Sequence, residues 1–478
     1  MLGGLAAIPA SMALDGGEVV EDCYDQAESQ PDLGNRACRS TESVVNGAGR
    51  TCRTTDAAEC NSIDGRPIVP LADNHEDHWL PRALSLQRGL DDALALHQEM
   101  WVHTHNSFNA EAYTPTLSGL DTNHIYSLTD QLKMGVRAIE IDVHWAPSAE
   151  TAGPQDGGKA PIVCHGRTEG MGPARVHVGC TAEVHLRTRL QEVATWLDDN
   201  PGEVVMIYLE NQLEGNSVAH LRAAEAIHTA LEGRVYAPNP GSSCQRFPIE
   251  ISRQQIAAAG KQVLLVGDCG GDAGTWSSVV FHRDNRGVWN ESSSPEGTEY
   301  PAYPACETHR ADEGYDTRWI RFFEDHTWLS AMVDGSRKAT EVTAEDAHNM
   351  ARCGVNMPGF DNLYPFDARL AALVWSWAAD EPAAPGCAYS DQGFRSGNCK
   401  TPRRFACEYA DGSWVITKAR GPWDKGAQHC ERMGASYSVP KNGYQNSRLD
   451  DVRGSTAVWL DYRHDATSGT WLPEASGA

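Results

Sequence analysis

The stretch Gly135-Val136-Arg137-Ala138-Ile139-Glu140-Ile141-Asp142-Val143-His144-Trp145 decides the fold of this chain. Its apolar run from Val136 to Val143 reads as a buried β-strand. The alternation Ile139-Glu140-Ile141-Asp142 puts both carboxylates on one face and both isoleucines on the other. Two acids aimed the same way repel, so a positive group is expected between them. Similar runs lie to either side: Trp101 to His105, Pro161 to His165 and Val204 to Leu209. Helix-like patterns separate at least some of them. One opens at Ser127-Leu128-Thr129-Asp130 with a serine cap and ends at Gly135. Polar residues at the C-terminal ends of successive strands are what a parallel barrel offers. The expected fold class is therefore α/β, a TIM-type (β/α) barrel with a small β-rich (α+β) C-terminal domain.

The strand ends carry an ordered series: Thr104-His105-Asn106-Ser107-Phe108, Glu140 and Asp142, Val163-Cys164-His165-Gly166, and Tyr208-Leu209-Glu210-Asn211. Asn106, Glu140, Asp142 and Glu210 supply only oxygen atoms, which suits Ca²⁺ or Mg²⁺ rather than zinc. His105 and His165 can flank a phosphate, one accepting a proton from an attacking hydroxyl and the other stabilising or protonating the departing oxygen. Taken singly, each motif has a plain structural explanation. A histidine before asparagine is commonly a buried or capping residue, and Glu140 with Asp142 can pair with Arg137. Their conjunction in order points to phosphodiester cleavage. Arg167 follows His165 closely enough to touch a phosphate, or is a surface arginine. His103 and His144 are expected in structural or supporting roles.

HNSF, GVRAIEIDVHW, VCHG and YLEN stand in the order and approximate spacing of the phosphatidylinositol-specific phospholipase C catalytic domain, which the chain resembles in its calcium-dependent, secreted branch. The segments Gly359-Phe360-Asp361-Asn362-Leu363 and Val374-Trp375-Ser376-Trp377-Ala378 resemble the last barrel segment of secreted microbial members. The resemblance covers roughly residues 85 to 385. It implies His105 and His165 as the catalytic histidines, Asn106, Glu140, Asp142 and Glu210 as calcium ligands, and a reaction in which the inositol 2-hydroxyl attacks phosphorus to give a cyclic inositol phosphate. Arg167, Lys261 and Asp361 are further candidates for substrate binding. After Lys261 the strand Gln262 to Asp268 lacks the paired lysines of signalling members, so plain or glycosylated inositol lipids fit better than polyphosphorylated ones. The alternatives are a glycerophosphodiester or sphingomyelin-type barrel enzyme, or a non-catalytic glycan-binding protein.

The chain of 478 residues exceeds one barrel, and its 41% hydrophobic content can fill a large core. A net charge of −25 argues against a nucleic-acid partner and against simple adsorption to anionic membrane. Contact with a phospholipid surface is expected through apolar loop residues, with Phe108, Tyr113, Tyr364 and Phe366 as candidates, and no stretch is long enough for a membrane span. Fourteen cysteines spread along the chain without C-x-x-C spacing predict disulfides and a secreted location, with Cys164 a buried thiol or a bridge. Residues 1–19 read as a possible signal-peptide remnant, 20–84 as a disulfide-containing extension, 85–385 as the barrel and 386–478 as a C-type-lectin-like domain. That last domain lacks the calcium triplet of sugar-binding lectins, so packing against the barrel and binding glycan stand level.

Overall fold

The computed structural model describes residues 71–113, 122–148, 158–169, 184–239, 245–269, 275–283, 300–306, 319–327 and 342–473, a few single positions excepted, together with short strand pieces elsewhere. The expected signal remnant and the side chains of residues 20–70 of the N-terminal extension lie outside the described residues. Of that extension, the backbone forms two antiparallel pairs, Val20–Cys23 with Cys38–Thr41 and Val44–Val45 with Thr51–Cys52.

The strands of the barrel region include β1 (His103–Thr104), β2 (Ala138–Pro147), β3 (Lys159–Val163), β4 (Val205–Gln212), β5 (Val263–Gly267), β6 (Phe281–His282), β7 (Trp289–Ser293), β8 (Trp319–Phe323) and β9 (Met357–Phe360). They form one curled sheet in the order β6-β5-β4-β2-β1-β9-β8-β7, each neighbouring pair parallel. β5 and the first part of β4 are buried at every position, as a parallel sheet covered on both faces demands. β5 ends at Gly267, where a Cβ would lie 2.4 Å from the Leu209 carbonyl oxygen, so glycine is what lets β5 pair with β4 through its last residue.

Between strands run α1 (Trp79–Asp91), α2 (Leu128–Lys133), α3 (Leu186–Asp199), α4 (Ser217–Leu231), α5 (Arg253–Ala258), α6 (Ala344–Cys353) and α7 (Ala368–Ala372). α3 buries Leu186, Leu190, Val193 and Leu197, spaced to form one helical face on the sheet. The serine cap expected on α2 is present, with Ser127 accepting from the Asp130 amide, and Gly135 follows with φ +106°. Capping boxes start α5 at Ser252 and α6 at Thr343, satisfying amides that the first turn leaves without intrahelical partners.

Two expectations change. The run Pro161 to His165 is not a parallel barrel strand: β3 folds back antiparallel on β2, with Val143 opposite Val163 and His144 opposite Ile162. β2 outruns its neighbours as far as Pro147, and β3 supplies hydrogen bonds to that overhang. A Cys164–Cys180 disulfide staples the return, so Cys164 is a bridge. The boundary expected between 84 and 85 also fails, because α1 crosses it and buries Leu80 and Leu84 in the main core.

The C-terminal domain holds β10 (Cys387–Ser390), β11 (Phe394–Gly397), β12 (Arg404–Glu408), β13 (Trp414–Ile416) and β14 (Val458–His464), ordered β11-β10-β14-β12-β13, with helices α8 (Gly426–Glu431) and α9 (Gly443–Arg453). Disulfides Cys387–Cys399 and Cys407–Cys430 tie it, and Cys306–Cys353 ties the barrel. The domain is joined to the barrel by packing as well as by the chain. Asn446 donates to the Trp375 carbonyl at 2.9 Å, Arg352 Nε donates to Ser447 at 3.2 Å, and Trp377 packs against Phe394, Tyr462 and Trp471.

Candidate active site

The loop after β1 is stitched to β2, which fixes the first histidine relative to the carboxylate strand. The Glu140 amide donates to Ser107 Oγ at 2.8 Å and the Ser107 amide donates to the Glu140 carbonyl at 3.1 Å. Asn106 turns the chain with φ +46°, a left-handed conformation that asparagine tolerates better than most residues, and its amide donates to Glu140 Oε2 at 3.2 Å.

Glu140 and Asp142 project from one face of β2 and Glu210 stands opposite Asp142 in the β2–β4 register, so the three bring carboxylate oxygens within 4.8 Å of one another. Burial, then repulsion from Glu210 and Glu140, pushes the Asp142 carboxyl well above the usual carboxylate range. The Asn106 side-chain amide lies beside Asp142, and with its nitrogen turned to that carboxylate it donates to both oxygens at 3.3 Å. Three carboxylates that share one centre and repel one another fit a hard divalent ion.

A positive group is expected between the two acids, and the structure sets one against Glu140. Arg321, inside β8 and 1% exposed, donates to Glu140 Oε2 at 2.5 Å. Its guanidinium lies over the rings of Tyr208 and Phe323, 4.6 and 4.1 Å from their centroids, and the Phe323 ring packs 4.7 Å from that of His105. A lone arginine in the apolar run Trp319-Ile320-Arg321-Phe322-Phe323 is the sequence signal for this residue, which the reading above missed.

His105 stands between acids, with Nε2 4.0 Å from Glu140 Oε2 and Nδ1 3.5 Å from Asp361 Oδ1. Burial lowers its basicity, but Glu140 and Asp361 outweigh this and lift its pKa to about 9. Asp361 follows β9; its amide donates to Glu324 Oε1 at 2.7 Å, and Arg369 holds Glu324 in turn. His103 is fully buried with Nε2 3.8 Å from Glu140, and burial with the nearby Arg321 charge keeps it neutral. Gly359 makes room for that ring, since a Cβ there would lie 2.5 Å from His103 Nδ1.

His165 follows β3 and belongs to the same buried network. Its Nδ1 meets Asn109 Nδ2 at 3.1 Å, Asn109 Nδ2 donates to Asn123 Oδ1 at 2.8 Å, and Asn123 Nδ2 donates to Asp361 Oδ2 at 2.8 Å. The same Asn123 nitrogen lies 3.5 Å from His105 Nδ1, so two amides connect the histidines. Neither asparagine carries a motif that sequence reading could have singled out.

Seven of the expected residues, His105, His165, Asn106, Glu140, Asp142, Glu210 and Asp361, thus lie in one region, with Asp361 expected as a substrate contact and found against His105 and Asn123. Lys261 does not: it precedes β5, at the opposite end of the sheet, and its amine donates to the Gly233 carbonyl. The Arg167 side chain lies outside the described residues. Of the loop aromatics, Phe108 and Phe366 are buried and Tyr113 is held by Glu192 beneath Arg189, which leaves Tyr364 exposed. Among the described residues no helix is long and apolar enough to cross a membrane.

The chain is 36% identical over 437 residues to uncharacterized protein Rv2075c of Mycobacterium tuberculosis H37Rv, covering 85% of this chain and 86% of that one, and equally to MT2135 of strain CDC 1551. Among solved structures it is similar to the phosphatidylinositol-specific phospholipase C of Listeria monocytogenes, at 14% identity and a TM-score of 0.38 over 61% of this chain and 97% of that one. It is also similar to a calcium-dependent phosphoinositol-specific phospholipase C of Pseudomonas sp., at 15% identity and a TM-score of 0.33 over 58% and 96%. Residues 71–367, the barrel together with its first helix, match the family described as the Rv2075c PI-PLC-like domain, and the chain belongs to that family.

Proposed function

We propose that this chain is a secreted, calcium-dependent phosphodiesterase that cleaves phosphatidylinositol or glycosylated inositol lipids at a membrane surface, by attack of the inositol 2-hydroxyl on phosphorus. Diacylglycerol or its equivalent departs and a cyclic inositol phosphate forms. The observation that carries this reading is the meeting of His105 and His165 in one hydrogen-bonded network beside the Glu140, Asp142 and Glu210 carboxylates.

Asn106, Glu140, Asp142 and Glu210 would hold the ion. An ion held there would offset the acidic charge that otherwise repels a phosphodiester and would favour loss of the proton from the attacking hydroxyl. Asp361, at His105 Nδ1, orients that ring, and an ion that offsets the Glu140 charge would lower its raised pKa so that Nε2 can accept the proton of the reacting hydroxyl. His165 addresses the phosphoryl and departing oxygens from the β3 side. Arg321 neutralises Glu140 from behind and holds it still.

The disulfides support secretion, since such bonds persist in oxidising compartments. For the C-terminal domain, its two disulfides and the placement of two helices on a twisted sheet support a lectin-like fold. Its extensive packing on the barrel favours a bracing role over glycan capture. The test is a headgroup panel of lipid vesicles assayed with and without Ca²⁺. Cyclic inositol phosphate from inositol lipid, lost on chelation, supports the reading; glycerol phosphate or ceramide phosphate transfers the site to another phosphodiesterase class, and no cleavage of any lipid removes the enzymatic reading.

A further inference from the structure

Asn109 and Asn123 lie 4% and 0% exposed between the two histidines, and their hydrogen bonds can run in one direction only. Asp361 is a carboxylate and accepts. Asn123 must therefore turn its NH₂ toward Asp361 Oδ2, at 2.8 Å, which leaves its oxygen facing Asn109. That oxygen needs a donor, so Asn109 turns its own NH₂ toward it, at 2.8 Å. The second hydrogen of the same Asn109 nitrogen then points at His165 Nδ1, 3.1 Å away. Flipping either amide would set oxygen against oxygen at one of these contacts, and buried acceptors facing each other cost the desolvation of both. Backbone contacts hold the frame: the Asn123 and His124 amides both donate to the Asn109 carbonyl at 3.0 Å, and the Asn362 amide donates to the Asn123 carbonyl at 2.7 Å.

From this polarity we infer that Asn109 and Asn123 are positioning residues that set the tautomer of His165, keeping Nδ1 as an acceptor and the proton on Nε2. The inference deepens the phosphodiesterase reading and rests on it for its functional meaning. His165 then presents a neutral N–H to the phosphoryl and departing oxygens, a donor aimed where negative charge develops. Asp361 carries two roles at once: one oxygen orients His105 and the other, through two amides, fixes the ring across the site.

The experiment is ¹⁵N–¹H long-range correlation NMR of the ring nitrogens in the ¹⁵N-labelled full chain, with His165 assigned by the signals lost in His165→Gln. Wild-type protein is expected to show a protonated Nε2 and an unprotonated Nδ1; a proton on Nδ1, or on both nitrogens, overturns the inference without needing any variant. Asn109→Asp replaces the donor by an acceptor and is expected to move the proton to Nδ1, with kcat down by on the order of 100-fold or more and KM little changed. Asn109→Ala, which frees the ring, is expected to give a mixed tautomer signal. An unchanged Nε2–H signal in both variants overturns the role of Asn109. The expected tautomer in a protein that cleaves no lipid supports the bridge and defeats the phosphodiesterase reading; lipid cleavage with the opposite tautomer does the reverse.

Discussion

Arg321 and Glu140 form a fully buried ion pair at the base of the acidic site, with the guanidinium also lying over Tyr208 and Phe323. A buried pair is held by mutual dependence: removing one partner leaves the other charge without compensation in a low-dielectric setting. Arg321→Met is therefore expected to destabilise the protein by about 3 to 5 kcal/mol in urea unfolding, while Arg321→Met combined with Glu140→Gln recovers much of that loss. Additive losses in the double variant would show that the pair does not act as a unit.

The carboxylates predict opposite effects of one substitution with and without metal. Asp142→Asn relieves the burial cost and the repulsion from Glu210 and Glu140, so the metal-free protein is expected to melt at a higher temperature than wild type. The same variant is expected to lose the rise in melting temperature that added Ca²⁺ gives wild type. An equal calcium response in both proteins would place the ion elsewhere.

His124 predicts an acid-side loss of stability. Burial is the main cause that lowers its pKa from 6.5 to about 4, and its Nε2–H donates to the His105 carbonyl at 2.6 Å. The unfolded chain binds the proton more tightly, so this contribution is present above pH 6.5 and is lost as the pH falls from there toward 4. The loss is on the order of 3 kcal/mol. Unfolding of wild type and His124→Gln measured between pH 7.5 and 4.5 isolates it: the variant is expected to decline less steeply, and parallel curves would contradict the assignment.

The domain interface predicts a shared fate for its two halves. A Cβ on Gly443 would lie 2.0 Å from the Ala351 carbonyl oxygen, at the join of α9 and α6. Gly443→Ala is expected to cost roughly 1 to 3 kcal/mol and to lower barrel and C-terminal domain together in one transition. A drop confined to the C-terminal signals would mean that the domains melt independently.

Much of the site was legible because it lies on local patterns. The period-two alternation at Ile139-Glu140-Ile141-Asp142 fixes which residues face together, and the order of the strand-end motifs brings His105, Asn106 and Glu210 to them. What sequence reading missed depends on partners far apart in the chain. Arg321 meets Glu140 across 181 positions and Asn123 meets Asp361 across 238, and neither spacing leaves a local trace. β3 was misread because a buried apolar run looks the same parallel or antiparallel; its direction is set by the overhang of β2. Lys261 precedes β5 and so stands at the end of the sheet away from His105 and the carboxylates, a placement that depends on strand direction and not on residue type.

The most direct test of the central claim is ³¹P NMR of phosphatidylinositol vesicles incubated with Ca²⁺ and the wild-type, His105→Ala or His165→Ala protein. Wild type is expected to release cyclic inositol phosphate, and each variant to lose on the order of 100-fold or more in rate while remaining folded. Cleavage at the wild-type rate by either variant would contradict the account.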